Sequence, residues 1–153
     1  MTLNNASFPI VEARNLNGRT LTLPSGFGGE RNLVLVAFQR WHQGQVDSWF
    51  PYLDQQMAAY PDLRVYELPI ISNFYNLARP FIDGGMASTI ANAAVRDRTL
   101  TIYTDVNRIR SALQIKSTAS ITLLLVDREG TIFWRESGAY SPARATLLER
   151  ALG

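Results

Sequence analysis

A run of six apolar residues, Leu33 to Phe38, is the feature that most restricts how this chain can fold. Because the run does not alternate with polar residues, it predicts a strand that is buried on both faces. Strands of this kind lie inside the sheets of α/β proteins, where helices cover both sides. A second apolar run, Ile121 to Val126, predicts another such strand. The two runs together predict a central sheet with helices on each face.

Further elements follow from periodicity and from turn residues. Asn17-Gly18 is typical of a type I′ turn and predicts a hairpin near the start of the chain. Apolar residues at steps of three and four, Trp49 among them, predict a core-facing helix stripe. Asp105 and Ser141 are predicted helix caps. The predicted strands are Ile10–Ala13, Thr20–Leu23, Leu63–Ile71, Leu100–Tyr103 and Thr131–Arg135, and the predicted helices are Val46–Tyr60, an interrupted Phe74–Val95, one from Asp105 to Leu113 and one from Ser141 to Leu152.

The order of these elements predicts one α/β domain with an N-terminal β-hairpin. Strands alternate with helices and the chain closes with a hairpin and a helix, which predicts a three-layer sandwich around a mixed sheet. The sequence has 153 residues, and a chain of this length buries about 70% of the surface that its unfolded form exposes. No linker or internal repeat divides it, so residues 1–153 are interpreted as a single domain.

The residue composition argues against several kinds of chemistry. The chain has no cysteine, which removes disulfides, thiol catalysis and cysteine-based zinc sites, and its single histidine argues against a histidine-rich metal site. We therefore expect no metal and no cofactor. With 15 basic and 13 acidic residues, the formal net charge is +2. Because the basic residues form no run, we expect no nucleic-acid partner.

The sequence predicts neither insertion into a membrane nor export. No segment reaches the roughly 20 consecutive apolar residues that a membrane span needs, although peripheral association with a membrane stays open. The first residues, Met1 to Pro9, have neither the basic start nor the apolar core of a signal peptide. The protein is therefore expected in the cytoplasm.

Three stretches resemble the thioredoxin-like fold of redoxins and peroxiredoxins. In the first, a buried strand runs into the polar, aromatic loop Gln39–Gln45 and then into a helix. Redoxins carry patterns of the Trp-Cys-x-x-Cys type there, and His42 and Gln45 stand where the two cysteines would be. The second, Leu100 to Ile115, is similar to a redoxin strand that ends in Asp before a helix. The third, "ITLLLVDREGTI" (121–132), resembles a redoxin strand followed by Asp, a basic residue, an acidic residue and Gly.

The resemblance implies the fold of a redoxin without its redox chemistry. A redoxin needs a thiolate nucleophile, and this chain has no cysteine. Thioredoxins also have a cis-proline just before the strand that ends in the Asp motif, where this chain has Ser120-Ile121-Thr122. A cis bond without proline costs about 3 kcal/mol. The bond is therefore expected to be trans and the protein to be redox-inactive.

A cysteine-free family of this fold resembles the chain further, namely the mitochondrial ATP synthase assembly factor, a chaperone for a membrane subunit. The stretch "LVLVAFQRWHQGQVDSW" is similar to that family's strand, arginine, aromatic and Ser-Trp pattern, and "DREGTIFWRESG" looks like its C-terminal hairpin. The resemblance implies an assembly role with a protein partner. Because no mitochondrial leader is visible, a bacterial relative is expected. The matching residues are Gln39, Arg40, Trp41, Gln45, Ser48, Trp49, Trp134 and Gly138.

The candidate binding site is the rim where a redoxin would carry its cysteines, formed by Arg40, Trp41, His42, Gln43 and Gln45. Arg40 follows the buried strand at the edge where open α/β sheets bind ligands, and its guanidinium suits a carboxylate or a phosphate. Trp41 lies outside the apolar stripe of the next helix, as a groove-lining residue would. His42 has the chemistry of a general base, but an exposed polar residue at a helix start is the favoured interpretation.

Three hypotheses about function follow. The leading one is a binding or assembly factor without catalytic residues, whose rim engages a protein segment. The alternative is a small-molecule-binding protein or a hydrolase with Arg40 and His42 in a closed pocket. The third is a dimerising module that uses an exposed sheet edge or the apolar patch Phe74–Met86. The oligomeric state and the identity of the partner are left open.

Overall fold

The fold was analysed in a computed structural model, which describes residues 7–71 and 98–153. The expected helix Phe74–Val95 and the apolar patch Phe74–Met86 lie outside these residues. The described strands are β1 (Val11–Asn15), β2 (Thr20–Leu23), β3 (Arg31–Ala37), β4 (Leu63–Ile71), β5 (Leu100–Tyr103), β6 (Thr122–Val126) and β7 (Ile132–Ser137), and the described helices are α1 (His42–Ala59), α2 (Val106–Ala112) and α3 (Pro142–Leu152).

The strands form one mixed sheet in the order β2-β1-β5-β4-β3-β6-β7. The strands β3, β4 and β5 are parallel, and the others join antiparallel. The strand β3 lies near the middle, where Leu33 aligns with Val65 on one side and with Leu125 on the other. The prediction that Leu33 to Phe38 forms an interior strand is therefore confirmed, with an observed end at Ala37.

Alternate side chains of β3 enter two separate cores. Val34 and Val36 pack toward the face that carries α2, where Ile109 is buried. Leu33 and Leu35 pack toward the face that carries α1 and α3. These four side chains are fully buried. Each contributes about 1.5–3 kcal/mol to stability through the hydrophobic effect. The sheet with helices on both faces confirms the expected three-layer thioredoxin-like sandwich.

The N-terminal hairpin is present, but its turn differs from the predicted type I′. A type I′ turn needs positive φ at both central residues, and here Gly18 has a φ of 86° while Asn17 does not have a positive φ. The side chain of buried Asn15 explains the difference. Its Oδ1 accepts hydrogen bonds from the N–H groups of Asn17 (3.0 Å) and Arg19 (2.9 Å). These bonds hold a wider, three-residue loop between Asn15 and Arg19.

Both predicted caps are confirmed, whereas the predicted start of α1 is wrong. The side chain of Asp105 accepts from the Asn107 N–H, and that of Ser141 accepts from the Arg144 N–H. The helix α1 begins at His42 instead of Val46 and has no side-chain cap of this kind. The second half of the expected polar loop is therefore the first turn of α1.

Candidate functional site

The rim lies where the chain leaves the carboxyl end of β3 and enters α1. Three backbone bonds wind the chain into the helix, from the N–H of His42 to the Gln39 carbonyl (3.1 Å), from Gln43 to Arg40 (3.2 Å) and from Gly44 to Trp41 (3.3 Å). The turn therefore places Arg40 and Trp41 before the helix, and the other candidate residues on its first turn.

His42 is fully buried, so the expectation of an exposed polar residue is wrong. Its Nδ1 accepts hydrogen bonds from the backbone N–H groups of Phe38 (3.0 Å) and Gln39 (3.3 Å). Because Nδ1 must be unprotonated to accept them, the neutral ring carries its proton on Nε2. The side chain of His42 thus satisfies two backbone donors at the β3–α1 junction, which lie before the helix and which no strand or helix bond would otherwise use.

Burial lowers the pKa of His42, and the backbone carbonyls of Ala119 and Thr118 offset part of this decrease. Among the described residues, Nε2 has no hydrogen-bond partner. The ring therefore stays neutral near pH 7, beside the loop that precedes β6. The ring packs against Trp41 of the rim. Because its nitrogens are buried, it presents no basic atom to solvent for catalysis.

The two glutamines of the candidate site differ in what their side chains do. Gln45 Oε1 accepts a hydrogen bond from the Ile121 N–H at 3.0 Å, which fastens α1 to the segment entering β6. Gln43 is exposed, and its Nε2 donates to Asp47 Oδ1 at 2.9 Å within the same helix. Gln45 thus has a structural contact, whereas Gln43 faces solvent at the edge of the rim.

Arg40 and Trp41 form the exposed part of the rim. Arg40 is exposed, and 58% of the Trp41 side-chain surface is accessible. The Trp41 ring packs edge-on against the ring of His42, with their centroids 4.4 Å apart. The Trp41 ring is therefore held in place by its contact with His42, while more than half of the residue's surface is open to solvent.

Several other residues of the family-like pattern anchor α1 to the C-terminal part of the chain. Trp49 is fully buried, as predicted, and its Nε1 donates to the Gly138 carbonyl at 3.0 Å. Ser48 Oγ donates to the Gln45 carbonyl (2.6 Å) and accepts from the Tyr140 N–H (3.0 Å). These contacts give this part of the pattern a structural role.

His42, Asp47 and Ser48 do not form a catalytic triad at the rim. His42 is buried, Asp47 accepts from Gln43, and Ser48 is engaged with backbone groups, so the three do not assemble as nucleophile, base and orienting acid. A shallow cavity of about 560 Å³ lies at the other end of the sheet, beside Arg31, Asp62 and Phe133, and contains none of the rim residues. Within residues 7–71 and 98–153, no group of three or more His, Cys, Asp or Glu side chains is placed to hold a metal ion.

Glu67 is a buried carboxyl group near the rim that sequence reasoning missed. It lies on β4 with 5% of its surface exposed, and Thr99 Oγ1 donates to its Oε2 at 3.4 Å. Burial raises its pKa, while the positive charge of Arg98 acts in the opposite direction. The sequence signal that could have identified Glu67 is its position in β4. It follows Leu63 and Val65 in the alternating pattern, so a charged residue occupies an inward-facing position.

No helix in the described part of the chain is long and apolar enough to cross a membrane.

Within the described residues, the cis peptide bond that occurs joins Leu23 to Pro24. The bond between Ser120 and Ile121 is therefore trans, as expected. The chain thus carries neither the cysteines nor the cis-proline of a redox-active thioredoxin.

Comparison with known proteins supports both the fold and the family. The family model described as ATP10 protein matches residues 4–153. No curated protein sequence matches the chain significantly.

Several solved structures have the same fold at low sequence identity. The thioredoxin domain of a thiol-disulfide oxidoreductase from Bacteroides vulgatus has a TM-score of 0.61 and 18% identity, over 99% of this chain and 100% of that one. StoA from Bacillus subtilis has a TM-score of 0.58 and 11% identity, over 97% and 99%. BsSco, a member of the Sco family of cytochrome c oxidase assembly proteins, has a TM-score of 0.60 and 12% identity, over 99% and 96%. At these identities the likeness establishes the thioredoxin-like fold alone.

Proposed function

We propose that this chain, which belongs to the ATP10 protein family, is an assembly factor that binds a protein partner through Arg40 and Trp41. The family supports an assembly role, and the absence of cysteine removes the thiol chemistry of other thioredoxin-like proteins. The observation that carries the choice of surface is the exposed Trp41 ring, which rests on the buried His42 ring.

The physical case for this surface rests on preorganisation. Tryptophan and arginine are the residue types that most often dominate the energy of protein interfaces. A side chain that is already held in one position loses less conformational entropy when a partner binds. Because His42 is fixed by two backbone N–H groups, it gives Trp41 a rigid support.

The nature of the partner follows from the family. We infer that the partner is a component of the ATP synthase, as the resemblance to the assembly-factor family implied. BsSco is described as a member of an assembly-protein family, which is consistent with assembly roles on this scaffold. The bacterial and cytoplasmic setting expected from the sequence stays a prediction.

The test is affinity capture from the native host with three tagged proteins. These are the wild type, the double variant Arg40→Ala with Trp41→Ala, and the control variant Ile10→Ala. Ile10 is 84% exposed and lies before β1, two residues after Phe8, whose N–H donates to the Gly130 carbonyl in the β6–β7 turn. We expect a component of the ATP synthase to be captured by the wild type and the control, but not by the double variant. Equal capture by all three proteins, or capture of no ATP synthase component, would contradict the proposal.

A further inference from the structure

A positively charged surface surrounds the loop between α2 and β6. Arg135 donates to the carbonyls of Leu113 (2.9 Å) and Gln114 (3.1 Å), and Arg110 donates to the carbonyl of Lys116 (3.1 Å). These acceptors are neutral, so neither guanidinium charge is compensated by its hydrogen bonds. In the described part of the chain, no carboxylate forms an ion pair with Arg110, Lys116 or Arg135.

This loop lies directly beside the rim. Its last residues adjoin β6, where the Ile121 N–H donates to Gln45 of α1 at 3.0 Å. The carbonyls of Thr118 and Ala119 act on the buried ring of His42. The exposed side chains of Arg40 and Lys116 therefore belong to two segments that pack against each other. Arg110 and Arg135 hydrogen-bond to the same loop, so four cations stand on the rim and on the elements that adjoin this loop.

We propose that this cationic surface, which comprises Arg40, Arg110, Lys116 and Arg135, recognises an acidic segment of the protein partner. The inference rests on the proposed function and specifies the chemistry of the partner. Carboxylates on the segment would pair with the four cations, and an apolar residue beside them would pack on Trp41.

The charge pattern favours an acidic protein segment over a nucleic acid. Nucleic acids are bound through many phosphate contacts along a continuous basic surface. Here the cations are few and stand on separate segments: Arg40 precedes α1, Arg110 is on α2, Lys116 follows α2 and Arg135 is on β7. A short segment with separated carboxylates can pair with cations spaced in this way, whereas a nucleic acid needs a longer series of phosphate contacts.

The test measures binding of labelled probes by fluorescence anisotropy. The probes are a short peptide of glutamate and leucine, a matched peptide with glutamine in place of glutamate, and a single-stranded oligonucleotide of similar length. We expect the acidic peptide to bind most tightly and to weaken as salt is raised, since exposed charges are screened. Equal binding of the glutamine peptide, or tighter binding of the oligonucleotide, would overturn the proposal.

Charge-reversal variants locate the binding. Lys116→Glu and Arg40→Glu change exposed side chains that form no hydrogen bond in the described structure, so both variants should fold. Each should weaken binding of the acidic peptide about fivefold, because an attraction becomes a repulsion. Arg19→Glu makes the same change of net charge at the tip of the β1–β2 hairpin and should have no effect. Equal weakening by Arg19→Glu would overturn the proposal.

The two proposals fail in different ways. If the capture experiment loses its partner on mutation of Arg40 and Trp41 but Lys116→Glu changes neither capture nor peptide binding, the rim binds the partner without this charge recognition. If Lys116→Glu weakens the peptide but the Arg40 and Trp41 double variant still captures an ATP synthase component, the acidic-segment surface stands and the assignment of the partner to the rim fails.

Discussion

Arg40 and Trp41 differ from the residues that follow them in what their side chains contact. Arg40 and Trp41 are exposed, and the Trp41 ring packs edge-on against the ring of His42. His42 and Trp49 are fully buried; Nδ1 of His42 accepts from the N–H groups of Phe38 and Gln39, and Nε1 of Trp49 donates to the Gly138 carbonyl. One continuous stretch of sequence therefore contains both a surface open to a partner and the anchors that hold it.

This difference explains how a redoxin scaffold can keep its active-site architecture without cysteine. Where a redoxin has its two cysteines, this chain has His42 and Gln45, and both now connect structural elements. His42 ties the end of β3 to α1, and Gln45 ties α1 to the segment that enters β6. The function that we propose uses the residues just before them, so structural and binding roles can be tested separately.

The largest effect is expected from the anchors. Trp49→Ala removes a fully buried indole and its hydrogen bond to Gly138, and should lower the free energy of unfolding by about 3–5 kcal/mol. Trp49→Phe keeps most of the ring volume and should cost about 1–2 kcal/mol. Urea denaturation measures both. A loss below about 1 kcal/mol for Trp49→Ala would show that the anchor is dispensable.

The next effect concerns the junction between β3 and α1. His42→Ala leaves the N–H groups of Phe38 and Gln39 without their acceptor and should cost about 2 kcal/mol. His42→Asn places an amide oxygen near the position of Nδ1 and should recover part of this loss. The comparison is made by thermal and urea denaturation, and equal losses in both variants would contradict the role of Nδ1 as an acceptor at the junction.

The stability of the wild type should also depend on pH through His42. Its pKa is lowered in the folded protein, so below its ordinary value of about 6.5 the unfolded chain binds the proton first. The free energy of unfolding should therefore fall as the pH falls below about 6.5, by at most about 1.4 kcal/mol per pH unit for this group.

The control for this pH dependence is His42→Asn. The raised pKa of Glu67 acts in the opposite sense, since it favours the folded state on acidification, and it does so in both proteins. The difference between wild type and variant, measured from pH 7.5 to 5.5, therefore isolates the histidine. Parallel pH profiles would show that His42 does not titrate differently in the folded and unfolded chains.

The smallest effect on stability is expected from substitution of the exposed residue Trp41. Trp41→Ala removes a ring that is 58% exposed, and should cost no more than about 1 kcal/mol through the lost contact with His42. The same variant should fold normally by circular dichroism. A loss as large as that of Trp49→Ala would move Trp41 from the binding surface to the structural group.

Much of the fold could be predicted from local signals. The strand β4 has the predicted bounds Leu63–Ile71, because its apolar content and flanking turn residues are encoded within a few positions. The caps at Asp105 and Ser141 were predicted for the same reason, since a side chain bonds a backbone group only two or three residues away.

The features that sequence reasoning missed depend on contacts that the local pattern does not encode. The ring of His42 is buried at the junction between β3 and α1. The loop before β6 packs against this junction, and its bond from Ile121 to Gln45 joins residues 76 positions apart in the sequence. The hairpin turn is set by the side chain of Asn15 instead of the Asn17-Gly18 pair. For the candidate site, the exposure of Trp41 was predictable from its place outside the apolar stripe, whereas the burial of His42 was not.

The most direct test of the central claim is site-specific photocrosslinking in the native host. A benzophenone amino acid is placed at position 41 in one protein and at position 10 in another, since Trp41 and Ile10 are both large, exposed and apolar. The account predicts that position 41 crosslinks to a component of the ATP synthase and that position 10 does not. Crosslinking to that component from both positions, or from neither, would contradict it.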